Sequence, residues 1–152
     1  MIEPYREGIN GRATYVKVDA YGNVIERYRV DEVLDNPDLI PLTDRASIDL
    51  LMMNLSNKRA LYKDGVIVLK PKIIMTSDKQ EYIAGVETAI VSLVGIPEEV
   101  TSVSLKVGDT ICNVPVGETL EVGSSIEQHI VIYLNEPILW AEPITIRFIP
   151  QG

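Results

Sequence analysis

Cysteine, histidine, tryptophan and phenylalanine each occur only once in the 152 residues. With Cys112 alone, no intramolecular disulfide can form, which fits a reducing cytoplasm or a particle assembled inside one. With His129 alone, a metal site built on two or three imidazoles is excluded. Long apolar runs are also missing: the longest are about five residues, against the roughly 20 needed to span a bilayer. The opening Met1-Ile2-Glu3-Pro4-Tyr5-Arg6 lacks a basic region ahead of an apolar run, so no signal peptide is expected. Gly8-Ile9-Asn10-Gly11 has neither the spacing nor the lysine of a phosphate loop. No Asp-x-Asp-x-Asp-Gly loop offers itself to calcium. The expectation is therefore no catalytic residue, no cofactor and no metal.

Basic residues are scarce in one half only. Residues 1–76 hold 11 acidic and 11 basic side chains, whereas residues 77–152 hold 11 acidic and 3 basic, so the whole net charge of −8 sits in the second half. An acidic pI near 4.6 argues against nucleic acid or an anionic membrane as partner, since both are polyanions. Net negative charge also simply keeps a protein soluble. A hydrophobic fraction of 46% is that of a globular chain, and the nine prolines and ten glycines are dispersed as turn punctuation.

The pattern of the sequence changes where the charge does, near Lys72 to Ser77. Arg12 to Val18 alternates, and Asn23 to Val30 is rich in Val, Ile and Tyr; the turn Asp19-Ala20-Tyr21-Gly22 between them predicts a β-hairpin. Asp35-Asn36-Pro37-Asp38 and Pro41 force an irregular connection. Thr43 or Asp44 can then cap a helix whose apolar stripe is Ile48, Leu51, Met52 and Leu55, with Asn57 as its stop. Ala60 to Leu69, interrupted by Asp64-Gly65, predicts a second hairpin. The helix is expected to bury its stripe on the sheet that the hairpins form. Of the pair Met52-Met53, one is expected in the core and one exposed.

After Ser77 the chain reads as short alternating strands. The inward triplets are Ala89, Val91 and Leu93; Val103, Leu105 and Val107; Ile130, Ile132 and Leu134; and Ile144, Ile146 and Phe148. Shorter candidates are Thr110–Val114 and Glu118–Val122. Turn signals recur at about the 8–12-residue spacing of a sandwich or barrel, which predicts about seven strands. The fold class expected is mainly β. A small hairpin-helix-hairpin α+β module, residues 1–72, precedes an immunoglobulin-like β-sandwich, residues 73–152. No Gly/Ser linker separates the halves, so they are expected to pack as a semi-rigid unit.

The run Thr76-Ser77-Asp78-Lys79-Gln80-Glu81-Tyr82-Ile83-Ala84-Gly85-Val86-Glu87-Thr88-Ala89 resembles the opening of bacterial and phage Ig-like (invasin-type) modules. The chain departs from antibody-type domains in lacking a cysteine pair and in placing Trp140 late. Tyr15 to Val24 and Leu39-Ile40-Pro41-Leu42-Thr43-Asp44, with the helix and Asp-Gly hairpin that follow, are similar to segments of phage tail-fibre and tail-fibre-assembly proteins. Together these likenesses imply a phage virion component. Ig-like modules are common appendages there, but the fold alone assigns no task.

The residues that carry chemistry have ordinary readings. His129 is expected on the polar face of a strand. Cys112, between Ile111 and Asn113, is expected as a buried inert thiol, since nothing basic nearby in sequence lowers its pKa. The sequence leaves a Cys–His pair between them open. The carboxylate pairs Glu98-Glu99 and Asp31-Glu32 fall in a turn and a loop, where adjacent side chains point apart and stay solvated. Five of the seven tyrosines, Tyr5, Tyr15, Tyr21, Tyr28 and Tyr62, lie in the first half and are the candidate interface. Hairpins also favour aromatic residues for packing alone. The first hairpin is the candidate edge for pairing with a neighbour, and the first dozen residues are a candidate arm that orders on assembly.

The function expected is a non-enzymatic virion structural protein of the tail, fibre or capsid surface, including capsid decoration. It would be made in the host cytoplasm, with other virion proteins as partners and a homo-oligomeric or symmetric assembly on the particle. The alternatives are a tail-fibre assembly chaperone and a small carbohydrate-binding or hydrolase domain.

Overall fold

The computed structural model describes residues 3–6, 11–32 and 34–151. Part of the expected N-terminal arm, residues 1–2 and 7–10, lies outside the described residues. The architecture is mainly β, with thirteen strands and one helix among the described residues. The chain divides into two compact units between Lys70 and Pro71. The hydrogen bonds follow that division: the Lys70 N–H donates to the Arg59 carbonyl at 2.9 Å, whereas the Pro71 carbonyl accepts from the Trp140 N–H at 2.9 Å.

In the first unit, β1 (Ala13–Val18) and β2 (Val24–Val30) form an antiparallel hairpin, and the short β3 (Ile40–Pro41) pairs with the other edge of β1. The turn forms because Asp19 Oδ1 accepts the Tyr21 and Asn23 N–H groups at 2.9 Å each, while Gly22 takes a positive φ of 95°. The alternation expected along β1 gives way to four consecutive buried residues, Ala13 to Val16. The reason is that β1 is the central strand and is covered on both faces. Val16 enters the core, and the Tyr15 hydroxyl accepts the Leu34 N–H at 3.0 Å from the loop after β2.

The helix α1 (Arg45–Met53) is capped by Asp44, whose Oδ2 accepts the Ser47 N–H at 3.0 Å. It stops earlier than Asn57. Asn54 closes it by donating its N–H to the Leu51 carbonyl at 3.1 Å and its Nδ2 to the Leu50 carbonyl at 2.8 Å. The left-handed residue after the helix is Lys58, with φ 58°. The early stop puts Leu55 outside the helix, and the buried face is Ser47, Ile48 and Leu51 while Met52, Met53 and Leu55 are exposed. That face meets the second hairpin, β4 (Ala60–Lys63) and β5 (Val66–Leu69). Val16, Leu42, Ile48, Leu51, Ala60 and Ile67 form one buried cluster that joins both hairpins to the helix. Each of the larger aliphatic side chains, Val16, Leu42, Ile48, Leu51 and Ile67, contributes roughly 1.5–3 kcal/mol on burial.

The second unit has eight strands: β6 (Ile74–Ser77), β7 (Glu81–Ile83), β8 (Thr88–Val94), β9 (Ser102–Val107), β10 (Thr110–Pro115), β11 (Leu120–Gly123), β12 (Gln128–Leu134) and β13 (Ile144–Ile149). They form two sheets, ordered β11-β8-β6 and β10-β9-β12-β13-β7. All pairings are antiparallel except that of β7 with β13. The chain therefore leaves one sheet after β6 and joins the other at β7. Buried residues of both sheets make one core: Met75, Ala89, Val91 and Val122 come from one, and Tyr82, Val103, Leu105, Val114, Ile132, Ile146 and Phe148 from the other. The four inward triplets read from the sequence all take part in or pack against it. Tyr82 and Phe148 place their rings 5.8 Å apart, tilted by 39°.

Candidate functional site

A concavity of about 520 Å³ in the first unit opens beside β2. One wall is the strand itself, Val24 to Arg27, and the other is Ala60 at the start of β4 with Lys58 before it and Lys70 just after β5. Leu51, Asn54 and Leu55 at the end of α1 complete the lining. The geometry follows from how the two hairpins join. Asn23 and Leu61 form a single antiparallel bridge, and the Tyr62 N–H donates to the Gly22 carbonyl at 2.8 Å. Beyond Asn23, no strand among the described residues pairs with the outer edge of β2. Ile25 is the extra residue of a β-bulge there and is exposed.

The cleft is cationic. Arg27, Lys58 and Lys70 line it against the single carboxylate of Glu26. Lys70 is only 8% exposed, and its Nζ donates to the Lys58 carbonyl at 3.0 Å. Burial pushes its ammonium pKa down, partly offset by the charge of Asp19. No carboxylate among the described residues forms an ion pair with it. Arg27 reaches across to the Met52 Sδ at 2.7 Å. None of these residues stands out in the sequence. The one available signal is a lysine directly after the apolar run Val66 to Leu69, where a strand end would normally be solvated.

The five tyrosines singled out from the sequence are not brought together. Tyr15 is 2% exposed and is a core residue, so it offers no surface to a partner. Tyr5 and Tyr62 are half-buried against the first-unit cluster. Only Tyr21 and Tyr28 are exposed, at 61% and 38%, and they sit at the turn and the far end of β2 respectively. The Tyr28 hydroxyl donates to Glu26 Oε2, which raises its pKa. Tyr28 and Glu26 line a second concavity with Leu34, Asp35 and Asp38, where acidic groups predominate.

His129 is exposed on β12, and Cys112 is half-buried on the edge strand β10. The burial expected for the thiol is incomplete because β10 has a neighbour on one side only. The two residues are not partners. Cys112 is opposite Leu105 and Leu105 opposite Leu134, while His129 lies five residues further along β12, a run of about 16 Å. Among the described residues, no group of three or more His, Cys, Asp or Glu side chains could hold a metal ion, and no helix is long and apolar enough to cross a membrane. No protein-family model, curated protein or solved structure matches the chain.

Proposed function

We propose that the chain is a non-enzymatic structural component of a bacteriophage virion, in its tail, fibre or capsid surface. It attaches through its charge-balanced first unit and presents an acidic immunoglobulin-like sandwich. The observation that carries this reading is the strand order of the second unit. A three-stranded sheet β11-β8-β6 and a five-stranded sheet β10-β9-β12-β13-β7 share one core, and the opening strand crosses from the first sheet to run parallel to the last strand of the second. This is the arrangement expected of an Ig-like sandwich whose first strand is split between sheets. The crossing occupies Asp78 to Gln80, within the run that resembles Ig-like modules of phages and bacteria. The charge split supports the assignment of roles, since −8 of net charge falls on residues 77–152.

Mass spectrometry of purified particles tests it. The chain should be present at a stoichiometry set by particle symmetry, and should form an oligomer by size exclusion with light scattering. A stable monomer found only in the lysate, never in finished particles, would overturn the virion reading in favour of an assembly chaperone.

A further inference from the structure

Three features of the cleft beside β2 call for one kind of occupant. The outer edge of β2 carries backbone donors and acceptors with no strand partner beyond Asn23 among the described residues. The lining is apolar at Val24, Leu51, Leu55 and Ala60. The charged residues lining it are Arg27, Lys58 and Lys70 against Glu26; Lys70 is a largely buried residue, and its Nζ has only the Lys58 carbonyl as hydrogen-bond partner among the described residues. A lysine has three donors, and with no carboxylate in ion-pair contact the desolvation cost of Lys70 is offset only in part, by the charge of Asp19.

We propose that this cleft receives an extended acidic peptide segment of a partner protein, which adds a strand to β2 and sets its carboxylates against Lys58, Lys70 and Arg27. In an extended segment successive side chains point to opposite sides. Alternating acidic and apolar residues therefore present carboxylates to the cations and apolar groups to Leu51, Leu55 and Ala60, while the backbone pairs with the strand edge. A small anion would use the cations and leave both the edge and the apolar lining unfilled. The proposal goes beyond the virion reading and stands without it, because it rests only on residues 23–70.

The probe is a capped peptide of alternating glutamate and valine, about eight residues long to match an ordinary strand, titrated into the full ¹⁵N-labelled chain. Amide shifts should be confined to Val24–Arg27, Leu55–Ala60 and Lys70, and the affinity should fall as salt rises. K70M and K58E should each weaken binding by about threefold or more. Should K70M fail to fold, the exposed-site variants K58E and R27E carry the same test. Methylation of alternate peptide amides should abolish binding. Four results would overturn the proposal: no shifts at millimolar peptide, equal binding of a lysine–valine peptide, the same shifts at the same affinity with succinate or inorganic phosphate, and concentration-dependent broadening of these amides without peptide. The last would assign the cleft to a second copy of this chain.

Discussion

The Tyr82 hydroxyl donates to Asp78 Oδ1 at 2.6 Å, and the same oxygen accepts the Ile90 N–H at 2.9 Å. The hydroxyl also accepts the Lys79 N–H at 2.8 Å. Asp78 follows β6, Tyr82 is in β7 and Ile90 is in β8, so one carboxylate holds the place where the chain passes between sheets. The Tyr82 ring meanwhile is buried against Phe148. Y82F keeps the ring and removes the hydroxyl, leaving the Lys79 N–H without that acceptor. We expect a loss of about 1 kcal/mol by urea unfolding, against about 3–5 kcal/mol for Y82A, which also empties the core. A Y82F midpoint equal to that of wild type would mean that the hydroxyl network contributes nothing.

The same network sets a pH dependence. The hydrogen bond from Tyr82, then that from the Ile90 N–H, hold the Asp78 carboxyl below the usual carboxylate range. The Lys79 ammonium and the Ile83 N–H do the same for Glu87. A carboxyl with a depressed folded pKa stabilises the fold above its unfolded pKa, and that contribution is lost as pH falls through the folded value. Tyr82 is shifted the other way: burial and then Asp78 raise its hydroxyl pKa. Its contribution is complete below the ordinary tyrosine pKa and is lost as pH rises through the folded value. Denaturant midpoints measured across pH should show a plateau with both an acid and an alkaline limb. D78N should flatten the acid limb, and Y82F the alkaline one. An unchanged acid slope in both D78N and E87Q would rule out this origin.

Gly22 and Gly65 both have positive φ, 95° and 87°, yet they should respond differently to alanine. A Cβ at Gly65 meets nothing within 4 Å, whereas one at Gly22 would lie 2.3 Å from the Tyr62 carbonyl oxygen. G65A therefore adds only left-handed strain, about 1–2 kcal/mol. G22A adds that strain and forces β4 away from the Gly22 carbonyl, to which Tyr62 donates at 2.8 Å. We expect a loss of roughly 3 kcal/mol or more, with faster amide exchange at Tyr62. Comparable midpoints for the two variants would show that the hairpin junction is not held there.

These positions also show what local pattern conveys. The triplets around Val91, Leu105, Ile132 and Ile146 were legible because a half-buried strand must alternate, and the Asp-Gly turn was legible because Gly65 needs positive φ. Tyr15 was not, since hairpin grammar is silent on what covers the second face of a central strand. The helix ends before Asn57 because Asn54 stops α1 through its own side chain, a contact that apolar periodicity does not reveal. The cleft was invisible for a different reason: Arg27, Lys58 and Lys70 meet only where β2 and β4 part.

Ser47 is the clearest case of a residue whose role follows from tertiary contact, and it yields a sharp expectation. It lies on the buried face of α1 beside Ile48 and Leu51, where an apolar residue would be the ordinary choice. Its Oγ accepts the Ile67 N–H at 2.9 Å, so a helix side chain satisfies a backbone donor of β5. S47A removes that acceptor and leaves a buried N–H unpaired, which costs about 1–3 kcal/mol. S47C, close in size with a weaker acceptor, should fall between alanine and wild type. S47V fills the volume without an acceptor and should be no better than alanine. The readouts are the urea midpoint and amide exchange at Ile67, which should accelerate in S47A more than at Val68 or Leu61. If S47A and S47V were as stable as wild type, with Ile67 equally protected, the helix would be held to the hairpin by apolar packing alone.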